Sequence, residues 1–262
     1  DVLEHLRTSG LRCGSLQALP MVNSIGFENI SRFVNADHED LNRCFPGNAA
    51  GTMGQRLARR VFDLITQAEP DLVIDLHNDW IHSVPYALIE PESSHGSRAA
   101  HARALELAHE SGLLVVEDAE VMDGEHDTLS GALAAQGYCA MTLEAGGAYS
   151  IVEESVAAGS AAVLAMLGLL GMVEGQNRPG PHADGELLRY SNEPLCTTSG
   201  LIRFDVSPGD RIEPGRRLAR VFSAFGFCEE TLTADVRGYV LGLADHARVL
   251  PGTEVLALAV TR

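Results

Sequence analysis

Apolar runs and helix-spaced segments alternate along the first two thirds of the chain. Strand-like runs fall at 14–22, 72–77, 85–89, 113–117 and 138–144. Helical spacing covers 51–68, 97–111, about 130–136 and a long segment from about 152. This alternation predicts an α/β domain with helices on both faces of a sheet. Ligand sites in such folds lie at the carboxyl ends of strands, where His77 and Glu144 both fall.

Val156 to Val173 is 18 residues long and free of charge, which meets the length rule for a membrane span. Its many Ala and Gly residues contribute little transfer free energy, and Glu153, Glu154 and Ser155 give it a polar helix start. It is expected to be a buried helix of a non-membrane protein. The stretch EGQNRPGPHAD at 174–184 is polar, carries Pro and Gly, and suits a linker. From Leu187 the texture changes to short β-like runs separated by SPGD, EPG and LPG turns. Gly200-Leu201-Ile202 with Pro214-Gly215 is echoed by Gly238-Tyr239-Val240 with Pro251-Gly252. Two units are therefore expected, residues 1–178 and a small all-β unit at 185–262 that resembles the barrel-sandwich of biotinyl and lipoyl carriers.

The net charge is -17, which argues against binding a phosphate backbone. All 19 basic side chains are Arg. Without Lys there is no Schiff base to pyridoxal phosphate, no Walker A lysine and no lipoate or biotin attachment, so the carrier-like unit holds no modification. Five cysteines at 13, 44, 139, 196 and 228 form no CxxC pair, as expected of reduced thiols in a cytoplasmic protein. The chain opens on Asp1 without a signal-peptide pattern, and it is expected to be a fragment.

Two segments carry chemistry. Residues 40–47 read DLNRCFPG, in which a carboxamide, Asn42, stands beside a guanidinium, Arg43, a pair suited to gripping a carboxylate. Residues 71–79 read DLVIDLHND, placing His77 at the end of an apolar strand as a natural metal ligand, with Asp75 or Asn78 available to brace it. Glu144 follows Met141-Thr142-Leu143, where a carboxylate is costly to bury unless paired or catalytic. His82, His95, His101, His109 and His126 sit in polar segments and are expected to be solvent-exposed, with no spacing that compels a second metal site. GEHD at 124–127 reads as a charged loop, and Asp79-Trp80 as a candidate pocket lining.

Together VNSIGF at 22–27, Arg32, DLNRCFPG, GTMGQRLA, VIDLHND and TLEAGG at 142–147 resemble the succinylglutamate desuccinylase/aspartoacylase family, zinc-dependent relatives of the metallocarboxypeptidases. The resemblance covers residues 1 to about 173. It implies a zinc-carboxypeptidase-like mixed sheet flanked by helices, and one Zn2+ per chain held by His77 and a His-x-x-Glu pair. That pair is expected just before Asp1. Glu4-His5 cannot replace it, because adjacent helical residues point about 100° apart. The resemblance thus implies an N-terminally truncated member whose zinc site is incomplete and which is inactive by itself.

For the complete enzyme the resemblance implies hydrolysis of the amide of a small N-acyl amino acid. Glu144 would be the general base, Arg32 would stabilise the oxyanion, and Asn42 and Arg43 would hold the substrate carboxylate. A zinc carboxypeptidase trimming peptide ends would use the same groups, and a catalytically incomplete binding module is the third reading. No nucleic-acid or membrane partner is expected, and a homo-oligomer is allowed.

Overall fold

The computed structural model describes residues 1–34, 38–118, 128–174 and 185–262. The GEHD segment with His126, the boundary between the two expected units and nearly all of the 174–184 linker lie outside the described residues.

In chain order the first part carries α1 (Val2–Ser9), α2 (Ser24–Glu28), α3 (Met53–Gln67), β1 (Val73–His77), β2 (His82–Ser83), β3 (Tyr86–Ile89), α4 (Arg98–Glu110), β4 (Leu114–Glu117), α5 (Leu129–Ala135), β5 (Ala140–Glu144) and α6 (Glu153–Leu169). The remainder is all β: β6 (Leu187–Ser191), β7 (Gly200–Phe204), β8 (Arg211–Ile212), β9 (Arg217–Phe222), β10 (Cys228–Thr233), β11 (Gly238–Leu243), β12 (Arg248–Val249) and β13 (Leu256–Val260).

The alternation of elements from 51 onward matches the periodicity of the sequence. The run at 14–22 does not: it forms no strand. Leu16 packs against the core while Leu19 and Met21 stay exposed, so its apolar side chains are dispersed and not aligned on one pleated face. Helix α3 starts where Thr52 and Gln55 close a capping box, and it buries Ala58, Val61 and Phe62 at helical spacing. Among the described residues no helix is long and apolar enough to cross a membrane; α6 instead buries Ala162, Val163, Ala165, Met166 and Leu167.

The fold is mixed α/β. A nine-stranded sheet runs β1-β5-β3-β4-β6-β13-β11-β2, with β8 attached to β11. β1 pairs parallel with β5, β3 antiparallel with β5, and β3 parallel with β4. Successive residues of β5 face opposite sides, as a pleated strand requires. Met141 and Leu143 join the cluster built on α4 and α6, through Leu107 and Met166. Ala140 joins the one built on α3 and α5, through Phe62 and Leu133.

Strands β6, β11 and β13 of the C-terminal part lie in this same sheet, with β4 parallel to β6. Tyr86, Leu114 and Val116 share a buried cluster with Leu241, Ala257 and Ala259. The second sheet, β10-β9-β7-β12, is confined to the C-terminal part. The sequence echo has a structural counterpart, because β7 and β11 each begin at the matching glycine, Gly200 and Gly238. Each then pairs with the short strand of the other half, β7 with β12 and β11 with β8.

Candidate functional site

Parallel pairing of β1 and β5 places His77 directly opposite Glu144 at the carboxyl ends of both strands. β1 is the last strand on its side of the sheet and its residues are only half-buried apart from the exposed Leu76, whereas every residue of β5 is buried. The His77 side chain is 28% exposed and that of Glu144 11%, so the histidine is the more accessible of the two. His77 Nε2 donates to Asp75 Oδ2 at 3.0 Å, two residues back on the same face of β1. With that proton placed, Nδ1 carries the lone pair and lies 3.8 Å from Glu144 Oε1.

Glu144 is 8% exposed, and its Oε2 is buried without a hydrogen-bond partner. Burial raises its pKa to about 7; His77 and Arg32 pull it down, and Asp79 and Asp75 push it up. For His77 burial acts to lower the pKa, but the bond to Asp75 and the charges of Asp75 and Glu144 outweigh it and leave it raised. The two groups therefore titrate as a coupled pair, the charge of Glu144 raising the pKa of His77 and that of His77 lowering the pKa of Glu144.

The loop after β1 folds over this pair. Asp79 N–H donates to Gly146 O at 3.0 Å, and Ala148 N–H donates to Trp80 O at 3.3 Å. Gly147 is required here, since a Cβ would stand 2.2 Å from Ile81 O. Asp79 accepts from the Tyr86 hydroxyl at 3.0 Å, and burial raises its pKa. The C-terminal part closes the loop from the far side: β2 pairs with β11, and Asp245 accepts from Ile81 N–H at 2.6 Å. A cleft of about 500 Å3 opens beside this junction, bordered by Ile81, Ser83 and Gly147 and by Ser207, Pro208 and Leu243 of the C-terminal part. Neither His77 nor Glu144 lines it.

Arg32 is the guanidinium whose charge reaches His77, Asp79 and Glu144. Its Nε donates to Asp40 Oδ2 at 2.7 Å, and its side chain is 63% exposed. Asp40 Oδ1 accepts from Asn42 N–H at 3.0 Å, so one carboxylate ties Arg32 to the Leu41–Arg43 turn. Asn42 Oδ1 is committed to Leu129 N–H at the start of α5, at 2.9 Å, which leaves the carboxamide NH2 as the group it can offer a ligand. Arg43 is exposed and donates from Nη1 to Asn42 O at 2.7 Å. The structure thus brings His77 and Glu144 together with Arg32 in electrostatic reach, and ties Asn42 and Arg43 to Arg32 only through Asp40.

Asp40, Asp75, Asp79, Tyr86 and Asp245 complete the surroundings. Asp75 stood beside His77 in the sequence, but Tyr86 and Asp245 gave no signal there. A zinc ion in a catalytic site needs three protein ligands. His77, braced by Asp75, has the geometry of one such ligand. Among the described residues no group of three or more His, Cys, Asp or Glu side chains could hold a metal, so these residues do not make up a zinc site.

One sequence expectation is corrected: α4 buries His101 and partly buries His109, and His95, in the turn before that helix, is partly buried; His82 is exposed.

Residues 2–170 match the family described as the succinylglutamate desuccinylase/aspartoacylase catalytic domain. A comparison with curated proteins gives no match. Solved structures share the fold at low identity. The ectoine utilization protein EutE (DoeB) from Ruegeria pomeroyi, product-bound, aligns with TM-score 0.79 and 21% identity over 99% of this chain and 80% of that one. A succinylglutamate desuccinylase from Silicibacter sp. gives 0.78 and 20% over 100% and 80%. A succinylglutamate desuccinylase/aspartoacylase from Rhodobacter sphaeroides gives 0.75 and 22% over 92% and 73%. With the match spanning more than half of its length, the chain belongs to the succinylglutamate desuccinylase/aspartoacylase family.

Proposed function

We propose that this chain is the catalytic part of a zinc-dependent deacylase that hydrolyses the amide bond of a small N-acyl amino acid. The observation that carries the reading is Glu144: a buried carboxyl with one orphaned oxygen and a pKa raised to about 7, facing His77 across paired strand ends. A general base works best when its pKa lies near the operating pH, because it is then ionised often enough yet still basic. Glu144 would accept the proton of the attacking water and return it to the leaving amine. Arg32, in electrostatic reach and only partly neutralised by Asp40, would face the oxygen on which negative charge develops. Arg43 and the Asn42 NH2 would take the substrate carboxylate, in a chain whose net charge of -17 otherwise repels anions.

His77 would be the metal's imidazole ligand from this chain, through Nδ1, with Asp75 fixing the ring. A bound zinc ion acidifies water and polarises carbonyls. The Ser207, Pro208 and Leu243 border of the cleft beside Ile81 and Gly147 would favour short substrates over long peptides.

The test is hydrolysis of N-succinyl and N-acetyl amino acids by the full-length gene product supplied with Zn2+, compared with Glu144→Gln and with C-terminal peptide substrates. Turnover of acyl amino acids that falls at least ~100-fold in the variant is expected. Turnover confined to peptides, or untouched by the substitution, overturns the proposal.

A further inference from the structure

One buried carboxylate takes no part in the proposed chemistry. Glu90 directly follows β3 and is 6% exposed. Its Oε1 accepts from the Ser130 hydroxyl at 2.9 Å and from the Thr128 hydroxyl at 3.4 Å. These two residues bracket Leu129, the first residue of α5, and the Thr128 hydroxyl also caps that helix by accepting from Gly131 N–H at 3.0 Å. Ser130, its own proton given to Glu90, accepts from the Thr142 hydroxyl at 3.2 Å. Thr142 lies two residues before Glu144 on the same face of β5, so the network ties the start of α5 to the strand that carries the base.

That first turn of α5 is also what holds the Asn42 side chain. Leu129 N–H donates to Asn42 Oδ1 at 2.9 Å, while Asp40 Oδ1 holds the Asn42 backbone N–H at 3.0 Å. The terminal torsion of an asparagine is broad and roughly two-fold, so the backbone contact alone leaves the carboxamide free to turn its oxygen toward a ligand. An oxygen there would repel an anion, whereas the NH2 donates to it. The bond from Leu129 decides between the two.

Holding α5 in this way is costly. Burial and the charge of Asp118 push the pKa of Glu90 up, against the pull of the Ser130 and Thr128 hydroxyls. An apolar residue would avoid that cost but would strand the buried Ser130 hydroxyl without its acceptor. We propose, on the reading that Asn42 grips the substrate carboxylate, that Glu90 is a positioning residue for that grip: through Thr128 and Ser130 it fixes the first turn of α5, and Leu129 N–H then keeps the Asn42 NH2 turned to the ligand. A purely structural role for Glu90 predicts lower stability with no selective effect on KM. A positioning role predicts a loss confined to KM, and only while Asn42 is present.

The test uses the full-length gene product supplied with Zn2+ and N-succinyl or N-acetyl amino acids as substrates. Glu90→Ala should raise KM about five- to tenfold with kcat within about twofold, and Glu90→Gln, which keeps an acceptor oxygen, should bring KM back toward that of the parent. Added to Asn42→Ala, Glu90→Ala should raise KM no further, because both act through one carboxamide. If Asn42→Ala raises KM and Glu90→Ala does not, or if the two increases multiply in the double variant, Glu90 has no positioning role and Asn42 remains the anchor. An unchanged KM in Asn42→Ala overturns the substrate reading and this role with it. Where Glu90→Ala fails to fold, Ser130→Ala decides: it cuts the shorter bond to Glu90 and should raise KM in the same Asn42-dependent way. Amide exchange gives a readout without substrate. The Leu129 N–H should exchange faster in Glu90→Ala or Ser130→Ala and recover in Glu90→Gln, and exchange equal to that of the parent overturns the proposal.

Discussion

Glu144→Gln should separate catalysis from stability in opposite directions. A carboxyl ordinarily at 4.5 and raised to about 7 ionises in the folded protein at a cost on the order of 3 kcal/mol beyond that in the unfolded chain. That figure is already net of the attraction of His77 and Arg32, which lower the pKa while burial raises it. The sign follows from linkage: a raised pKa contributes stability fully present below about 4.5 and lost as pH climbs through about 7. The parent should therefore lose up to ~3 kcal/mol between pH 5 and pH 8 through this residue, and Glu144→Gln should not lose it. His77, also raised, loses its contribution over the upper part of the same range, so the informative quantity is the difference between parent and variant at each pH. Urea midpoints at pH 5 and pH 8, at unchanged m, give that difference directly. The variant should gain on the parent as pH rises, while its kcat falls and the acid limb near pH 7 disappears from kcat/KM. An identical pH dependence of stability in the two proteins would refute the claim that Glu144 is a strained, buried base.

Other substitutions test the neighbours. Arg43→Ala should raise KM about tenfold or more with kcat nearly unchanged, and unchanged KM in steady-state kinetics removes it as the carboxylate anchor. Asp75→Asn frees the His77 ring and should weaken metal affinity about 10- to 100-fold by competition with a chromogenic chelator, whereas equal affinity denies it the bracing role. Leu243→Ala should widen the cleft and raise kcat/KM for longer acyl substrates relative to short ones, and an unchanged ratio means that this border is no gate. Asp245→Ala should destabilise by about 1 kcal/mol through the Ile81 N–H it strands, with faster exchange of that amide as the measurable sign.

The sequence exposed the parts of the site that depend on neighbours along the chain. VIDLH and TLE could be recognised as strand ends bearing a histidine and a glutamate, because β1 and β5 are short apolar runs that stop at a polar residue. Their register is a tertiary fact, and only the pairing of Val73 with Ala140 through His77 with Glu144 makes the two side chains one unit. Asp40 stood inside the DLNRCFPG signal, yet its role appears only when Arg32 and Asn42 converge on its two oxygens. At 14–22 apolar content suggested a strand that no pairing partner supports. His101 was misjudged from its polar neighbours Ser97 and Arg98; its spacing of three, six and seven from Ala104, Leu107 and Ala108 belongs to the buried stripe of α4.

The C-terminal part acts on Glu144 without touching it. Its strand β11 pairs with β2, and Asp245 grips Ile81, which holds the loop bearing Asp79 over the strand ends. Asp245 raises the pKa of Asp79 by charge repulsion, and Asp79 in turn raises that of Glu144. Burial remains the larger cause at both residues, and the same packing produces it, because Tyr86 beneath Asp79 lies in the cluster that includes Leu241, Ala257 and Ala259. A unit that carries none of the proposed catalytic groups therefore helps to set the proton affinity of the base. This gives a physical reason for β6, β11 and β13 to be built into the central sheet, where a flexible tether could neither exclude water from Asp79 nor fix its distance to Glu144.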